Sequence, residues 1–381
     1  MRYLLLVLFC FFLVPVTAQE TYKEKKPVNQ ELVYEGKDFY PVKIYPQKFK
    51  SKKPKNVILM IGDGMGLAHV FAGYTANGGN LFLNNFRQMG YAKTQSSNKF
   101  ITDSAAGGTA LACGVKTYNS AVGVDSNGEP QASILEEAEK KGLSTGLVST
   151  SAITHATPAS FIAHEGARFT YEAIAADFLD TDVDVFIGGG LKHFSQRQDG
   201  RDLTGELKAK GYQVLQNMQE IAAVKSGKLA GLTAPEHNVR YPERGDMLPV
   251  STETAIRILS NNKKGFFLMV EGSMIDWGGH QNSLPYIVEE MLDFDRTIGK
   301  ALEFAAQDGE TLVIVTADHE TGGLAITGGN TQTGMVQARF VSTDHTGVMV
   351  PVFAFGPGAD QFTGILDNTD IQKNMKKLLI R

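Results

Sequence analysis

Cysteine is almost missing from this chain: its 381 residues include two, Cys10 and Cys113, and one tryptophan, Trp277. So few cysteines exclude a disulfide framework. Prolines number 13 against 40 glycines, which suits tight strand-to-loop corners better than a low-complexity linker. An excess of one charge is lacking too. Thirty-seven Lys and Arg stand against 41 Asp and Glu, a net charge of -4. That excludes the basic stripe expected of a nucleic-acid binder, so any anion binding needs local positive charge such as a metal. After the first segment, no run approaches the ~18 apolar residues of a membrane span. What the chain does hold is 43% hydrophobic residues, too many for disorder and enough for a substantial core.

Met1-Arg2, the apolar stretch Tyr3 to Val14 and the small-residue end Pro15-Val16-Thr17-Ala18 have the layout of a secretory signal peptide. The expectation is removal of 1–18 and export, to the periplasm or beyond the cell, with no membrane anchor left. Cys10 goes with that segment and lacks the preceding small residues of a lipid-attachment site. Cys113 then remains alone and reads as a small buried hydrophobe. Residues 19–55 are lysine-rich and weakly patterned, an N-terminal arm that packs on the domain or on a partner subunit. Residues 56–381 show no repeat or linker and read as one domain.

Within it, short apolar runs alternate with helical patterns. Val57–Ile61, Thr145–Ser149, Val183–Ile187, Phe266–Val270, Leu312–Thr316 and Val350–Phe355 read as strands covered on both faces. Ser133 and Glu136 have capping-box spacing before a helix that stops at Gly142. Ile287, Met291, Phe294, Ile298 and Ala305 repeat at helical spacing from Pro285 onward. The fold class is therefore α/β, a three-layer sandwich with a mostly parallel central sheet and helices on both faces.

Three of the strands run straight into acids: Asp63 after Ile61, Glu271 and Asp276 after Val270, and Asp318-His319 after Thr316. Parallel sheets bind ligands beyond the carboxyl ends of their strands. Carboxylates gathered there repel one another unless a cation sits among them. One acid alone would serve as a helix cap, but these have imidazoles beside them, His319 next to Asp318 and His280 four residues after Asp276. Carboxylate with histidine suits zinc, and all-oxygen sets suit magnesium. His69, His193 and His237 have no such neighbours and read as ordinary polar histidines. In Asp103-Ser104-Ala105-Ala106-Gly107-Gly108, Ser104 is either a metal-activated nucleophile at a helix start or, with Asp103, a plain cap.

Asp103-Ser104-Ala105-Ala106 with Gly114-Val115-Lys116-Thr117 resembles the nucleophile region of the alkaline phosphatases. His155-Ala156-Thr157-Pro158, Arg168, Glu271-Gly272-Ser273-Met274-Ile275-Asp276, Thr316-Ala317-Asp318-His319-Glu320-Thr321 and His345-Thr346-Gly347 continue the resemblance in the family's order. It implies a catalytic domain over 56–381 that hydrolyses phosphate monoesters through a phosphoserine on Ser104. Arg168 would clamp the phosphate. Two zinc ions per chain are implied, one on Asp276, His280 and His345, the other on Asp63, Asp318 and His319. One magnesium is implied on Asp63, Thr157 and Glu271, with His155, Trp277 and Asp103 supporting the site. Enterobacterial members carry Asp and Lys where this chain has His155 and Trp277, and the histidine should weaken magnesium there or let zinc compete. Glu320 to Asp344 is short for the crown insertion of some members, so the usual homodimer is less secured. A phosphodiesterase of the same superfamily is the first alternative, and an inactive metal- or phosphate-binding protein the second. The third-metal residues favour a monoesterase over a diesterase, and no inserted domain suggests a phosphosugar mutase.

Overall fold

The computed structural model describes residues 28–380; the signal segment expected at 1–18 lies outside them. The strands in chain order are β1 (Leu32–Tyr34), β2 (Asn56–Gly62), β3 (Gln88–Lys93), β4 (Ser144–Ala152), β5 (Val185–Gly189), β6 (Gln213–Leu215), β7 (Leu229–Leu232) and β8 (Phe266–Gly272). They are followed by β9 (Thr311–Thr316), β10 (Glu320–Thr321), β11 (Leu324–Asn330), β12 (Met335–Phe340), β13 (His345–Thr346), β14 (Val350–Phe355) and β15 (Gly364–Asp367).

Ten of these form one sheet in the order β15-β3-β14-β9-β2-β8-β4-β5-β7-β6. From β9 to β6 every pairing is parallel, and β14 runs against both of its neighbours. The central strands are the ones with uninterrupted apolar runs. Every residue of β2, β8 and β9 is buried, because helices cover both faces. The helix Leu284–Asp308 turns Ile287, Met291, Phe294, Ile298 and Ala305 inward, all fully buried. The helix Ile134–Lys140 starts with the Ser133–Glu136 capping box. Among the described residues no helix is long and apolar enough to cross a membrane.

A smaller core lies beside the sheet. β1 pairs with β12, and β12 with β11, and these strands pack Tyr34, Val336, Ala338 and Phe340 on Ala72, Leu284, Ile287 and Val288. The N-terminal arm is therefore joined to its own chain at Leu32–Tyr34, through backbone pairing that its scattered apolar residues did not signal.

Order within the central sheet fixes the site. β9, β2 and β8 are neighbours, in a register that sets Ile61 beside both Glu271 and Thr316. The acids that follow these strands thus emerge together at one end of the sheet.

Candidate metal and phosphate site

Asp63 leaves β2 on a tight corner in which Gly64 has φ +70; a Cβ there would lie 2.8 Å from the Cα of Asp276. This glycine lets two acidic loops touch. The helix Ser104–Cys113 approaches from the side with Gly107 against Asp318, where a Cβ would meet the Asp318 side chain at 3.0 Å. Asp103 caps this helix through its Oδ1, which accepts from Ala106 N at 3.0 Å. Its Oδ2 accepts from Arg168 Nη1 at 3.2 Å. One carboxylate thus caps the helix and holds the arginine.

Three histidines converge on the acids, and each is fixed through Nδ1. His280 Nδ1 donates to the carbonyl of Thr343 at 2.7 Å, and His345 Nδ1 to that of Thr102 at 2.9 Å. His319 Nδ1 is 3.2 Å from Thr321 Oγ1, whose hydroxyl donates to Asp276. A carbonyl can only accept, so Nδ1 of His280 and His345 carries the proton and Nε2 keeps its lone pair. Those two Nε2 atoms face each other at 3.2 Å. Lone pairs so placed repel unless a cation lies between them.

The groups fall into three sets. Asp276, His319 and His345 approach within one ion's reach, and so do Asp63, Asp318 and His319. The third is Asp63, His155 and Glu271. His280 joins the first through Nε2, 3.4 Å from Asp276 Oδ2. Thr157, on the short helix Ala156–Ala159, is buried near the third. Ser104 Oγ lies 3.3 Å from His319 Nε2, against the second set. All the site residues expected from sequence therefore meet at one end of the sheet, and His155 stands among the third set's ligand candidates rather than behind them.

The donor set fits cations. Both oxygens of Asp63, Asp318 Oδ2, Glu271 Oε1 and Thr157 Oγ1 are buried without a hydrogen-bond partner. Each such atom costs about 1–3 kcal/mol if nothing binds it. Burial, then repulsion from Asp318 and Asp276, holds the Asp63 carboxyl well above its usual range. Burial and Asp276 push Asp318 up to about 7. Burial also drives His319 and His155 well below the ordinary imidazole value and lowers His345, so these rings are neutral, as ligation requires. Raised carboxyls beside neutral imidazoles describe a site short of positive charge.

Arg168 supplies the fixed charge. Its side chain is 13% exposed; desolvation works against its charge, but Asp103 and Asp63 keep the guanidinium protonated. Its Nη2 is 3.3 Å from His155 Nε2, so one histidine faces both this guanidinium and the third set.

Several supporting residues were not singled out from sequence. Ser149 donates to Glu271 Oε2 at 2.6 Å. Glu320 accepts from Thr346 and from Leu324 N, bracing the segment that carries His345. His237 is not an ordinary polar histidine. Its Nδ1 accepts from Ala152 N at 3.0 Å, and its ring stands edge-on to Trp277 (4.8 Å) and His155 (5.5 Å). His69 is fully buried, with Nδ1 accepting from Gly66 N at 3.1 Å. His193 stacks on Tyr171 at 4.7 Å. The contacts of Ser149, His237 and His193 have no sequence-local signature, because their partners come from distant segments, whereas His69 bonds to Gly66 within the first turn of its own helix.

A family model described as alkaline phosphatase matches residues 54–340 and 330–380. Alkaline phosphatase 4 of Bacillus subtilis is 37% identical over 411 residues, covering 85% of this chain and 88% of that protein. The alkaline phosphatase of Escherichia coli is 33% identical over 409 residues, covering 86% and 87%. Among solved structures, alkaline phosphatase from the Antarctic bacterium TAB5 superposes with a TM-score of 0.81 at 41% identity, covering 87% of this chain and 98% of that one. A His-to-Asp mutant of the TAB5 enzyme, described with magnesium bound in its M3 site, gives the same TM-score at 40% identity, covering 87% and 99%.

Proposed function

The chain belongs to the alkaline phosphatase family and is a metal-dependent phosphomonoester hydrolase; from that premise we propose that it works through a phosphoserine on Ser104, with two zinc sites and a magnesium site. The observation that carries this reading is the set of imidazoles tied back through Nδ1, whose Nε2 atoms converge on buried carboxylates beside Ser104 Oγ. Asp276, His280 and His345 would hold the first zinc and Asp63, Asp318 and His319 the second. Asp63, Thr157 and Glu271 would hold magnesium, with His155 adjoining. When bound, these ions supply Lewis-acid charge that favours the Ser104 alkoxide and the departing alcohol oxygen.

The chain's own residues do the rest. Ser104 Oγ attacks phosphorus in line with the ester oxygen, which leaves as the alcohol. Arg168, held by Asp103, presents its fork to two phosphate oxygens, where charge spreads in a loose transition state. Asp103 keeps one side of that fork aligned while capping the nucleophile's helix. A water then attacks the phosphoserine from the face the alcohol left. The Ser104–phosphorus bond breaks and inorganic phosphate departs.

The reading includes the divisions proposed from sequence: a signal segment over 1–18, an arm over 19–55, a catalytic domain over 56–381, and export. It also includes a homodimer, supported by the exposed Phe100, Ile101, Val348 and Met349, which adjoin the Thr102–Ser104 and His345–Thr346 segments. The decisive assay compares p-nitrophenyl phosphate with bis(p-nitrophenyl) phosphate at alkaline pH, before and after chelation. Monoester turnover should exceed diester turnover at least about 10²-fold, vanish with chelator and return with zinc and magnesium. A diester preference would refute the assignment.

His155 gives a second prediction. An imidazole beside Asp63 and Glu271 offers nitrogen where magnesium prefers oxygen. His155→Asp should therefore tighten magnesium at least about tenfold, read by calorimetry and by fluorescence of Trp277, the chain's single tryptophan, whose ring lies 6.3 Å from that of His155. Equal magnesium affinity in the two proteins would contradict it.

A further inference from the structure

At the end of the sheet opposite the catalytic loops, two surface grooves of about 610 and 430 Å³ share Ser51 and Lys53 and so form one trough. Lys52, Lys53, Lys55, Lys141, Lys264 and Lys377 line it, with Glu310 and Asp360 as its acids. Lys55 directly precedes β2, and Lys264 lies just before β8, which places the trough at the amino ends of the strands whose carboxyl ends carry the metal ligands. Among the described residues none of these six ammonium groups has a hydrogen bond or ion pair. Some surface lysines elsewhere are paired, as in Lys192–Glu236, Lys228–Asp182 and Lys300–Glu253, and what sets the trough apart is six of them lining one continuous groove against two acids.

A chain of net charge -4 that gathers unneutralised lysines in one place holds like charges together against their repulsion. We propose that this trough is a docking surface for a linear acidic polysaccharide. The basic groups lining it are lysines without an arginine, compact point charges suited to charge spread along a polymer rather than to a forked grip on one phosphate. The large exposed hydrophobic residues lie elsewhere, so it has no apolar anchors for a lipid surface. Its aromatic residue, Phe49, packs edge-on to Phe355 at 5.4 Å and offers no platform for nucleobases. A base-free polyanion lying along joined grooves matches what remains. Held there, about 20 Å from the site across strands of six or seven residues, the enzyme keeps its catalytic end open to small substrates.

The test uses the full, metal-loaded protein and heparin as the probe polysaccharide. At about 50 mM salt, wild type should bind heparin and release it as salt rises. Lys52→Glu/Lys53→Glu/Lys264→Glu should bind at least about tenfold more weakly. Lys99→Glu/Lys208→Glu/Lys225→Glu changes charge equally at exposed lysines elsewhere and should lose less than about twofold. Unchanged p-nitrophenyl phosphate turnover in both variants shows that they are folded. Equal loss in the two variants would overturn the proposal. So would displacement of heparin by inorganic phosphate, which would put the polymer in the catalytic site, or binding to phosphatidylglycerol vesicles in its place.

Discussion

Ser104→Ala is expected to lower p-nitrophenyl phosphate turnover by about 10³ to 10⁶-fold, while leaving metal content and melting temperature nearly unchanged. The hydroxyl is buried at the first position of its helix and makes one side-chain contact, with His319 Nε2, so its loss removes little packing. Residual turnover would come from water attacking directly, since Arg168 and the ligand sets remain. Quenching wild type in acid during turnover of labelled substrate should trap phosphate on the protein, and on Ser104 after digestion. Wild type that never carries label, or a variant retaining near-native turnover, would contradict a phosphoserine route and favour one-step attack by water.

Asp63→Ala should have the other large effect. Both Asp63 oxygens are free of hydrogen bonds, and the carboxylate belongs to two ligand sets at once. Metal content should fall by about two ions per chain, and activity by at least about 10³-fold. Stability should move in opposite directions with and without metal. In the metal-free chain Asp63 is buried against Asp318, Asp276 and Glu271, so removing it relieves repulsion and desolvation, and the apo variant melts no lower than apo wild type. With metals added, wild type gains binding energy that the variant lacks, and melts well above it. A variant that keeps full metal content would show that the two sets do not share Asp63.

Much of the architecture could be read from sequence, for a physical reason. β2, β8 and β9 are covered on both faces, so each is an unbroken apolar run, and each run ends at the acid or acid-histidine pair that enters the site. The ligands lie close to these strand ends, where local pattern and tertiary position coincide. β1 could not be read in this way. Its three residues alternate in burial and become a strand only because β12 supplies the partner. His237 was hidden for a similar reason. It sits after β7 in a loop without pattern, and only folding carries it to Trp277. The place of Glu320 as a brace for His345 likewise depends on a contact between segments that the motif alone does not describe.

The pairing order has a consequence for how the chain is made. β2 emerges early from the ribosome, yet its two sheet neighbours, β8 and β9, begin at Phe266 and Thr311, more than 200 residues later. β1 waits still longer for β12. Seven buried-type residues of β2 thus have no partner edge during most of synthesis, when such a strand is prone to pair with another chain. Premature arrest anywhere before residue 316 leaves the middle of the sheet without β9. In a nascent chain of this design β2 stays without its sheet neighbours until most of the polypeptide has been delivered.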